Sequence, residues 1–239
     1  MIDRQQVLYN MLFEEGAEYY HRSADARALA VKFSGKPLWI YAKEGLSEDN
    51  LRSFFFSCLK KDDLLSGFVA APWVADICKG LHKPLTAYWE MSAYYIDKNI
   101  NPSHEITWPG YGDFMLIGKW IKAFFTEALD IELNNAEEMG KALIKSRHLY
   151  ILDIKGTGPV AMGMLIPLPN GMERLNLIYT PEMYRGKGYG KQLTSGLVNK
   201  SQLKGKLPVL YAKSANLRAV NMYKSLGFKK AGELVEVRY

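Results

Sequence analysis

The stretch Arg185-Gly186-Lys187-Gly188-Tyr189-Gly190-Lys191 follows a predicted strand, residues 173–179, and opens a predicted helix that runs to about Leu203. Its three glycines allow the backbone to turn tightly and to approach a ligand closely. The free N–H groups at a helix start point toward the same spot, and the helix dipole lies behind them. With the side chains of Arg185, Lys187 and Lys191 nearby, the stretch suits a phosphate group.

The glycine spacing distinguishes between types of phosphate loop. The dinucleotide fingerprint G-x-G-x-x-G does not fit, because the glycines stand at 186, 188 and 190 and the third is one residue early. A Walker loop does not fit either, since Gly190-Lys191 is followed by Gln192 and position 185 is an arginine. The pattern that remains is Arg-x-x-Gly-x-Gly. A glycine-rich turn without a ligand is the alternative.

A second motif lies downstream, in the residues from Asn216 to Phe228. Asn216 is a favourable helix N-cap, and Gly227 is placed to end the helix with a positive φ. One stripe of this helix carries Leu217, Val220, Tyr223 and Leu226. Taken alone, Tyr223 is therefore a candidate core residue on an apolar face.

Together, the two motifs resemble the GCN5-related N-acetyltransferase (GNAT) superfamily. The shared order is strand, R-x-x-G-x-G loop, helix, strand, and then N-x-x-A-x-x-x-Y-x-x-x-G-F, and the resemblance covers about Ile106 to the end. The sequences Tyr-Thr-Pro-Glu before the loop and Tyr-Lys-Ser-Leu-Gly-Phe after it belong to the match. The layout of the whole chain resembles bacterial tandem-type members, in which a degenerate GNAT-like half precedes the working half. The resemblance implies an α/β fold with a mixed, mostly antiparallel sheet flanked by helices, preceded by a smaller α/β domain.

The resemblance also implies an acetyl-CoA site. Backbone N–H groups of residues 187–191 would hold the pyrophosphate, and the strand end at residues 177–179 would run beside the pantetheine arm. Asn216 would contact pantetheine or order the adjacent loop, and Tyr223 matches the tyrosine that protonates the departing CoA thiolate. The implied binding residues are Leu177, Ile178, Tyr179, Arg185, Gly186, Lys187, Gly188, Tyr189, Gly190, Lys191 and Asn216.

The implied reaction is acetyl transfer from acetyl-CoA to a primary amine, on a small molecule or a peptide, by direct attack in a ternary complex. The attacking amine must be neutral, so a base or a water chain must accept its proton. Many relatives use a glutamate on the strand before the loop, and Glu173 begins that strand here. An exposed structural glutamate and a water-relayed proton are the alternatives. A non-catalytic sensor of CoA or acyl-CoA is the alternative function, against which Tyr223 argues, because binding alone needs no phenol there.

Charge and composition favour some classes of protein and argue against others. The net charge is +6, but residues 181–239 carry +9 and the first 180 residues −3, which favours an anionic ligand in the last quarter. A nucleic-acid role is not expected, because no helix clusters Arg and Lys and no sheet offers aromatic stacking positions. The two cysteines predict neither a disulfide scaffold nor a metal site. No signal peptide and no membrane-length apolar run are found, so we expect a cytoplasmic protein.

The remaining chain divides at the polar segment 97–103, which contains Asn-Pro. We therefore predict an N-terminal α/β domain at residues 1–100 and an acetyltransferase domain at residues 101–239. Residues 1 to about 30 predict a helix from the spacing of their apolar positions. Downstream, residues 113–129 and 136–146 predict helices, and the loop Trp108-Pro109-Gly110-Tyr111-Gly112 is a candidate wall of the acceptor pocket.

Overall fold

The computed structural model describes residues 4–9, 16–33, 36–61, 65–129, 131–168 and 170–239. These residues group into two compact units. The first comprises Met1–Tyr94, Tyr211–Val220 and Lys229–Tyr239, and the second comprises Tyr95–Leu210 and Asn221–Phe228. Two C-terminal segments thus group with the first unit, and the domain division at residue 100 stays a prediction.

The chain forms seven helices and ten strands within its described residues. They are α1 (Arg4–Leu8), β1 (Ala17–Arg22), β2 (Ala28–Phe33), β3 (Leu38–Ala42), α2 (Glu48–Leu59), β4 (Gly67–Ala70), α3 (Pro72–Cys78), β5 (Ala87–Tyr95), α4 (Phe114–Phe124), α5 (Ala136–Ser146), β6 (Leu149–Ile154), β7 (Gly158–Pro167), β8 (Met172–Tyr179), α6 (Tyr189–Leu203), β9 (Leu207–Lys213), α7 (Leu217–Leu226) and β10 (Lys229–Arg238). The strand predicted at residues 173–179 and the helices predicted at residues 113–129 and 136–146 are confirmed to within a few residues.

The first unit has the strand order β1-β2-β3-β4-β10-β5. The β3–β4 pair is parallel, whereas β1–β2, β2–β3 and β4–β10 are antiparallel. Helix α2 is capped by Ser47, whose Oγ accepts a hydrogen bond from the Asn50 N–H at 3.4 Å. Its Phe55 and Cys58 are fully buried in one core with Phe68 and Val74.

The predicted helix over residues 1–30 is wrong beyond α1. Residues 17–22 and 28–33 instead form an antiparallel pair, with Tyr20 opposite Val31. The turn between them is closed by Ser23, whose Oγ accepts the Ala28 N–H at 2.8 Å. The alanine spacing that favoured a helix gives little information, because alanine fits either structure and cross-strand packing decides the outcome. Residues 10–15 lie outside the described part of the chain.

The second unit has the strand order β9-β8-β7-β6. The β8–β9 pair is parallel, and β7 pairs antiparallel with both β6 and β8. Helix α4 packs on one face of this sheet through Ile117 and Ile121. On the other face α6 lies so close that a Cβ at Gly163 would meet the Leu197 Cδ1 at 2.8 Å. The predicted α/β class, a mixed and mostly antiparallel sheet flanked by helices, is confirmed. Among the described residues, no helix has the length and apolar character that crossing a membrane requires.

Candidate functional site

The glycine-rich stretch joins β8 to α6 and leaves main-chain donors free. Gly186 and Gly188 have φ values of 79° and 80°, in the left-handed region that glycine adopts without strain. The first helical hydrogen bond of α6 runs from the Gln192 N–H to the Gly188 carbonyl at 3.1 Å. The N–H groups of residues 189–191 precede it, so they have no acceptor within the helix. They lie at the positive end of the helix dipole, where an anion is stabilised.

Space for a ligand lies directly beside these donors. A Cβ at Gly186 would meet no atom within 4 Å, and at Gly188 it would meet only the Gln192 Nε2, at 4.0 Å. The Gln192 Oε1 is buried and has no hydrogen-bond partner among the described residues, although a buried acceptor normally has one. Lys187 and Lys191 are exposed, and in the described part of the chain neither forms an ion pair with a carboxylate. This stretch therefore fits an anion that also offers an N–H donor.

Close packing at Gly190 ties the stretch to two other elements. A Cβ at this position would lie 3.3 Å from the Thr180 Oγ1 and 3.5 Å from the Met222 Sδ. Thr180 directly follows β8, and Met222 belongs to α7. The start of α6, the end of β8 and the Met222 turn of α7 are therefore in contact.

Strand β8 carries a bulge just before the glycine-rich stretch. Asn176 lies opposite Met164 and Tyr179 lies opposite Met162, so β8 has one residue more than β7 between these pairs. Leu177 takes up the irregularity with a φ of 51°, a conformation that is strained for a leucine. Its N–H is satisfied by the Asn176 Oδ1 at 2.8 Å.

The pairing of β8 with β9 is short. It runs from Met172–Leu207 to Arg174–Val209, whereas β8 itself continues to Tyr179. Past Arg174, no pairing with β9 is found among the described residues. Main-chain groups on this side of residues 175–179 can therefore bind an extended ligand, as a further strand would.

A carboxylate in the turn that follows α4 holds Arg185 in place. A π-helical turn, Phe125–Leu129, continues α4 and carries Glu127. The Glu127 Oε1 accepts the Tyr179 hydroxyl at 2.8 Å, and its Oε2 forms an ion pair with the Arg185 Nη2. The Arg185 Nε donates to the Thr180 carbonyl at 2.9 Å. Burial, together with the hydrogen bond and the charge of Glu127, raises the pKa of Tyr179 to about 12.

Sequence reasoning missed Glu127. It lies at the end of an apolar helix, 58 positions before Arg185, and no spacing rule connects the two residues. The only local signal is an acidic residue in the turn that follows α4, a helix whose Ile117 and Ile121 pack on the sheet. Arg185 was predicted to bind the cosubstrate, and the structure gives its guanidinium two protein partners beside the stretch.

Tyr223 is buried in α7, with 6% of its surface exposed. Its ring meets Phe228 edge-on, with centroids 5.6 Å apart. Burial raises the pKa of Tyr223, so the phenol keeps its proton at neutral pH. Its neighbour Met222 contacts the start of α6, but the role of Tyr223 as proton donor stays a prediction.

Asn216, in the first unit, caps α7 as the sequence predicts, because its Oδ1 accepts the Ala219 N–H at 3.1 Å. Its contact with pantetheine stays a prediction.

Glu173, the candidate base, lies at the other end of β8. It lies opposite Pro208 of β9 on one side and opposite Pro167 of β7 on the other. At this end of β8, both neighbouring strands are still paired with it. The Glu173 side chain is 5% exposed, and its Oε1 accepts from the Lys204 Nζ at 2.9 Å. Six residues of strand, about 20 Å, separate it from Tyr179. The structure brings together the glycine-rich stretch, Tyr179 and the Met222 turn, but it does not bring Glu173 to them.

The described residues contain no group of three or more His, Cys, Asp or Glu side chains that could hold a metal ion. Cys58 and Cys78 are buried and not joined in a disulfide. Burial raises the pKa of each thiol to about 12, so neither is a nucleophile at neutral pH.

Residues 160–238 match the family described as FR47-like protein. This segment runs from β7 to the end of β10 and contains the glycine-rich stretch, the bulge and Tyr223. A search of curated proteins finds no match to the chain.

Solved structures share the fold over nearly the whole chain. A GNAT-family acetyltransferase from Colwellia psychrerythraea is 13% identical, with a TM-score of 0.61 over 90% of this chain and 81% of that one. A GCN5-related N-acetyltransferase from Sphaerobacter thermophilus is 14% identical, with a TM-score of 0.60 over 91% of this chain and 78% of that one. A conserved protein of unknown function from Staphylococcus epidermidis is 10% identical, with a TM-score of 0.63 over 98% of both chains. The fold that the resemblance implies is confirmed, whereas the degenerate tandem origin of the N-terminal half stays a prediction.

Proposed function

We propose that this chain, which has the fold of the GCN5-related N-acetyltransferases, transfers the acetyl group of acetyl-CoA to a primary amine by direct attack in a ternary complex. The amine belongs to a small molecule or a peptide. The observation that carries the proposal is the free helix N-terminus at residues 189–191, which opens beside the unpaired end of β8. A pyrophosphate and an extended amide-bearing arm need these two features side by side.

Binding is divided between main chain and side chains. The donors of residues 189–191 hold the pyrophosphate, and Lys187 and Lys191 add positive charge that no described carboxylate neutralises. The end of β8 binds the pantetheine amides as an added strand would. Gln192 offers its buried Oε1 to an N–H of the cosubstrate, which would satisfy the acceptor that is now without a partner.

The reaction requires three events. The neutral amine attacks the thioester carbon, and the developing negative charge on its oxygen is stabilised by a main-chain N–H at the end of β8. The bond between carbon and sulfur breaks, and the electron pair leaves with the sulfur. The thiolate then takes a proton from the Tyr223 phenol, and a proton from water restores the phenol for the next turnover.

The proton released by the amine passes to water in this proposal. Glu127 is engaged by Tyr179 and Arg185, and Glu173 is paired with Lys204 at the closed end of β8. Both carboxylates are therefore already engaged by protein partners, and neither is assigned as the base. The two buried, unpaired cysteines fit a reducing compartment such as the cytoplasm.

One observation favours a sensor of CoA or acyl-CoA as the second candidate. The predicted base Glu173 is occupied by an ion pair, and binding alone needs no base. Tyr223 favours the enzyme, since a phenol near the leaving sulfur has a role only in turnover.

Calorimetric titration of the purified chain with acetyl-CoA, CoA and NADH tests the binding step. We expect both CoA species to bind and NADH not to bind. Thiol release from acetyl-CoA across a panel of amines, with mass spectrometry of the product, then separates the enzyme from the sensor. If neither CoA species binds, the glycine-rich stretch is a structural turn and the proposal is wrong.

A further inference from the structure

A separate cavity of about 770 Å³ opens at the opposite end of α4 from Glu127. Its wall is formed by the predicted loop Trp108–Tyr111 and by the second half of α5 with the residue that follows it. From Phe114 to Glu127 the helix rises about 20 Å. This cavity is therefore too distant to hold an amine that attacks a thioester beside Tyr179, and the loop does not serve as the acceptor pocket proposed from the sequence.

Aromatic rings form one side of this cavity. Trp108 and Tyr111 are 52% and 68% exposed, which is unusual for residues that normally bury most of their area. The Trp108 ring is nevertheless held in place, because its Nε1 donates to the Arg147 carbonyl at 3.0 Å and its face lies against Tyr150. The Arg147 guanidinium lies over the same ring, 5.4 Å from its centroid. The exposed ring that is left as a stacking surface for a flat ligand is therefore Tyr111.

Cations form the other side. Lys141, Lys145 and Arg147 line the cavity, and within the described residues none of them forms an ion pair with a carboxylate. The nearest acid of the loop, Asp113, is engaged because its Oδ2 accepts the Gly110 N–H at 2.7 Å. Basic residues at a helix C-terminus are common, since they complement the dipole. Their convergence on a cavity of ligand size, facing fixed aromatic rings, goes beyond that role.

We propose that this cavity binds a nucleoside monophosphate, with its base stacked on Tyr111 and its phosphate held by Lys145 and by Arg147, which lies over Trp108. The chemistry requires a ligand that is flat at one end and anionic at the other, and the volume lies in the range of small-molecule sites. Arg147 can meet a phosphate with two parallel hydrogen bonds, and Lys145 adds a point charge. This inference does not depend on the proposed acetyl transfer.

Nuclear magnetic resonance of the tryptophan indole N–H groups tests the site. The chain has five tryptophans, and the Trp108 signal is assigned as the one lost in Trp108→Phe. Adenosine 5′-monophosphate is titrated without CoA, because CoA carries an adenine nucleotide that would compete for this cavity, and the Trp108 signal reports this cavity alone. Adenosine supplies the ring without the charge, and inorganic phosphate supplies the charge without the ring.

We expect the monophosphate to shift the Trp108 signal saturably and both partial probes to bind at least about tenfold more weakly. Lys145→Gln should weaken binding by about tenfold, the usual effect of losing one hydrogen bond to a charged group. Lys155→Gln is the matched control, because Lys155 is an exposed lysine in the β6–β7 turn, away from the cavity, and it should bind as the wild type does. No shift of the Trp108 signal, equal binding of inorganic phosphate, or equal weakening by both lysine variants would overturn the proposal. The other four indole signals report whether each variant is folded.

Discussion

Replacing Gly188 with alanine separates backbone strain from ligand binding in the glycine-rich stretch. Gly188 has a φ of 80°, where an L-residue costs about 1–2 kcal/mol. The added methyl group meets only the Gln192 Nε2 at 4.0 Å, so no clash adds to this cost. For a chain of this size, such a loss of unfolding free energy lowers the melting temperature by about 2–8 °C.

The effect on acetyl-CoA should be larger than the strain alone explains. The new methyl group enters the open space beside the donors of residues 189–191, where the pyrophosphate is proposed to lie. Displacing the phosphate from one charge-assisted hydrogen bond costs about 1.5–3 kcal/mol, or about 10- to 100-fold in Kd. We therefore expect Gly188→Ala to retain its fold and to bind acetyl-CoA at least about tenfold more weakly.

Gly205→Ala provides the matched control. Gly205 follows α6, has a φ of 67°, and a Cβ there would meet no atom within 4 Å, so the strain is the same without a ligand role. Thermal melts and calorimetric titrations of the wild type and both variants give the two quantities independently. If both variants lose similar stability and both bind acetyl-CoA as the wild type does, the glycine-rich stretch does not hold the pyrophosphate and the reasoning fails.

Two further substitutions probe other parts of the site, and a labelling experiment probes the buried cysteines of the first unit. Tyr223→Phe should lower turnover by about 100-fold while leaving the Kd for acetyl-CoA nearly unchanged, and an unaltered rate when chemistry is limiting would exclude the proton-donor role. Glu127→Gln should lower the unfolding free energy by about 1 kcal/mol and weaken acetyl-CoA binding, whereas the exposed control Glu132→Gln should do neither in the same melts and titrations. Cys58 and Cys78 have thiol pKa values raised from 9.0 to about 12, so their contribution to stability is full below pH 9 and is lost as the pH rises toward 12. A colorimetric thiol reagent at pH 8 should therefore react with them only after unfolding, and rapid labelling of the native chain would contradict this.

Local signals were sufficient for the glycine-rich stretch and for α7. The α6 start was predicted from glycines and basic residues, and α7 from its Asn216 cap and the stop at Gly227, all of which act within a few residues. The two strands at residues 17–33 were not predicted. Their formation depends on cross-strand pairing with residues such as Tyr41 and Ile40 in β3, and this pairing leaves little trace in the alanine spacing.

The site itself was predictable only where main-chain geometry defines it. The donors at residues 189–191 follow from the glycine pattern, but the strained Leu177 does not, because leucine carries no signal for a positive φ. The position of Glu173 depends on where the β8–β9 pairing stops, which is a property of the whole sheet. For the same reason, sequence spacing gave no basis for deciding between a base and an ion-pair partner of Lys204.

The tertiary contacts of Arg185 indicate that this side chain has a structural role in the candidate site. A free arginine beside a phosphate site would add affinity through its own guanidinium. Here Glu127 and the Thr180 carbonyl already bind its Nη2 and Nε. Burial lowers the pKa of Arg185, but the hydrogen bond and the charge of Glu127 outweigh burial, so the pKa is raised. Since the guanidinium is fixed to α4 and to the end of β8, its main effect is to hold the first residue of the glycine-rich stretch. In the proposed complex, the phosphate would then be bound by the N–H donors of residues 189–191, whose direction depends on that anchor.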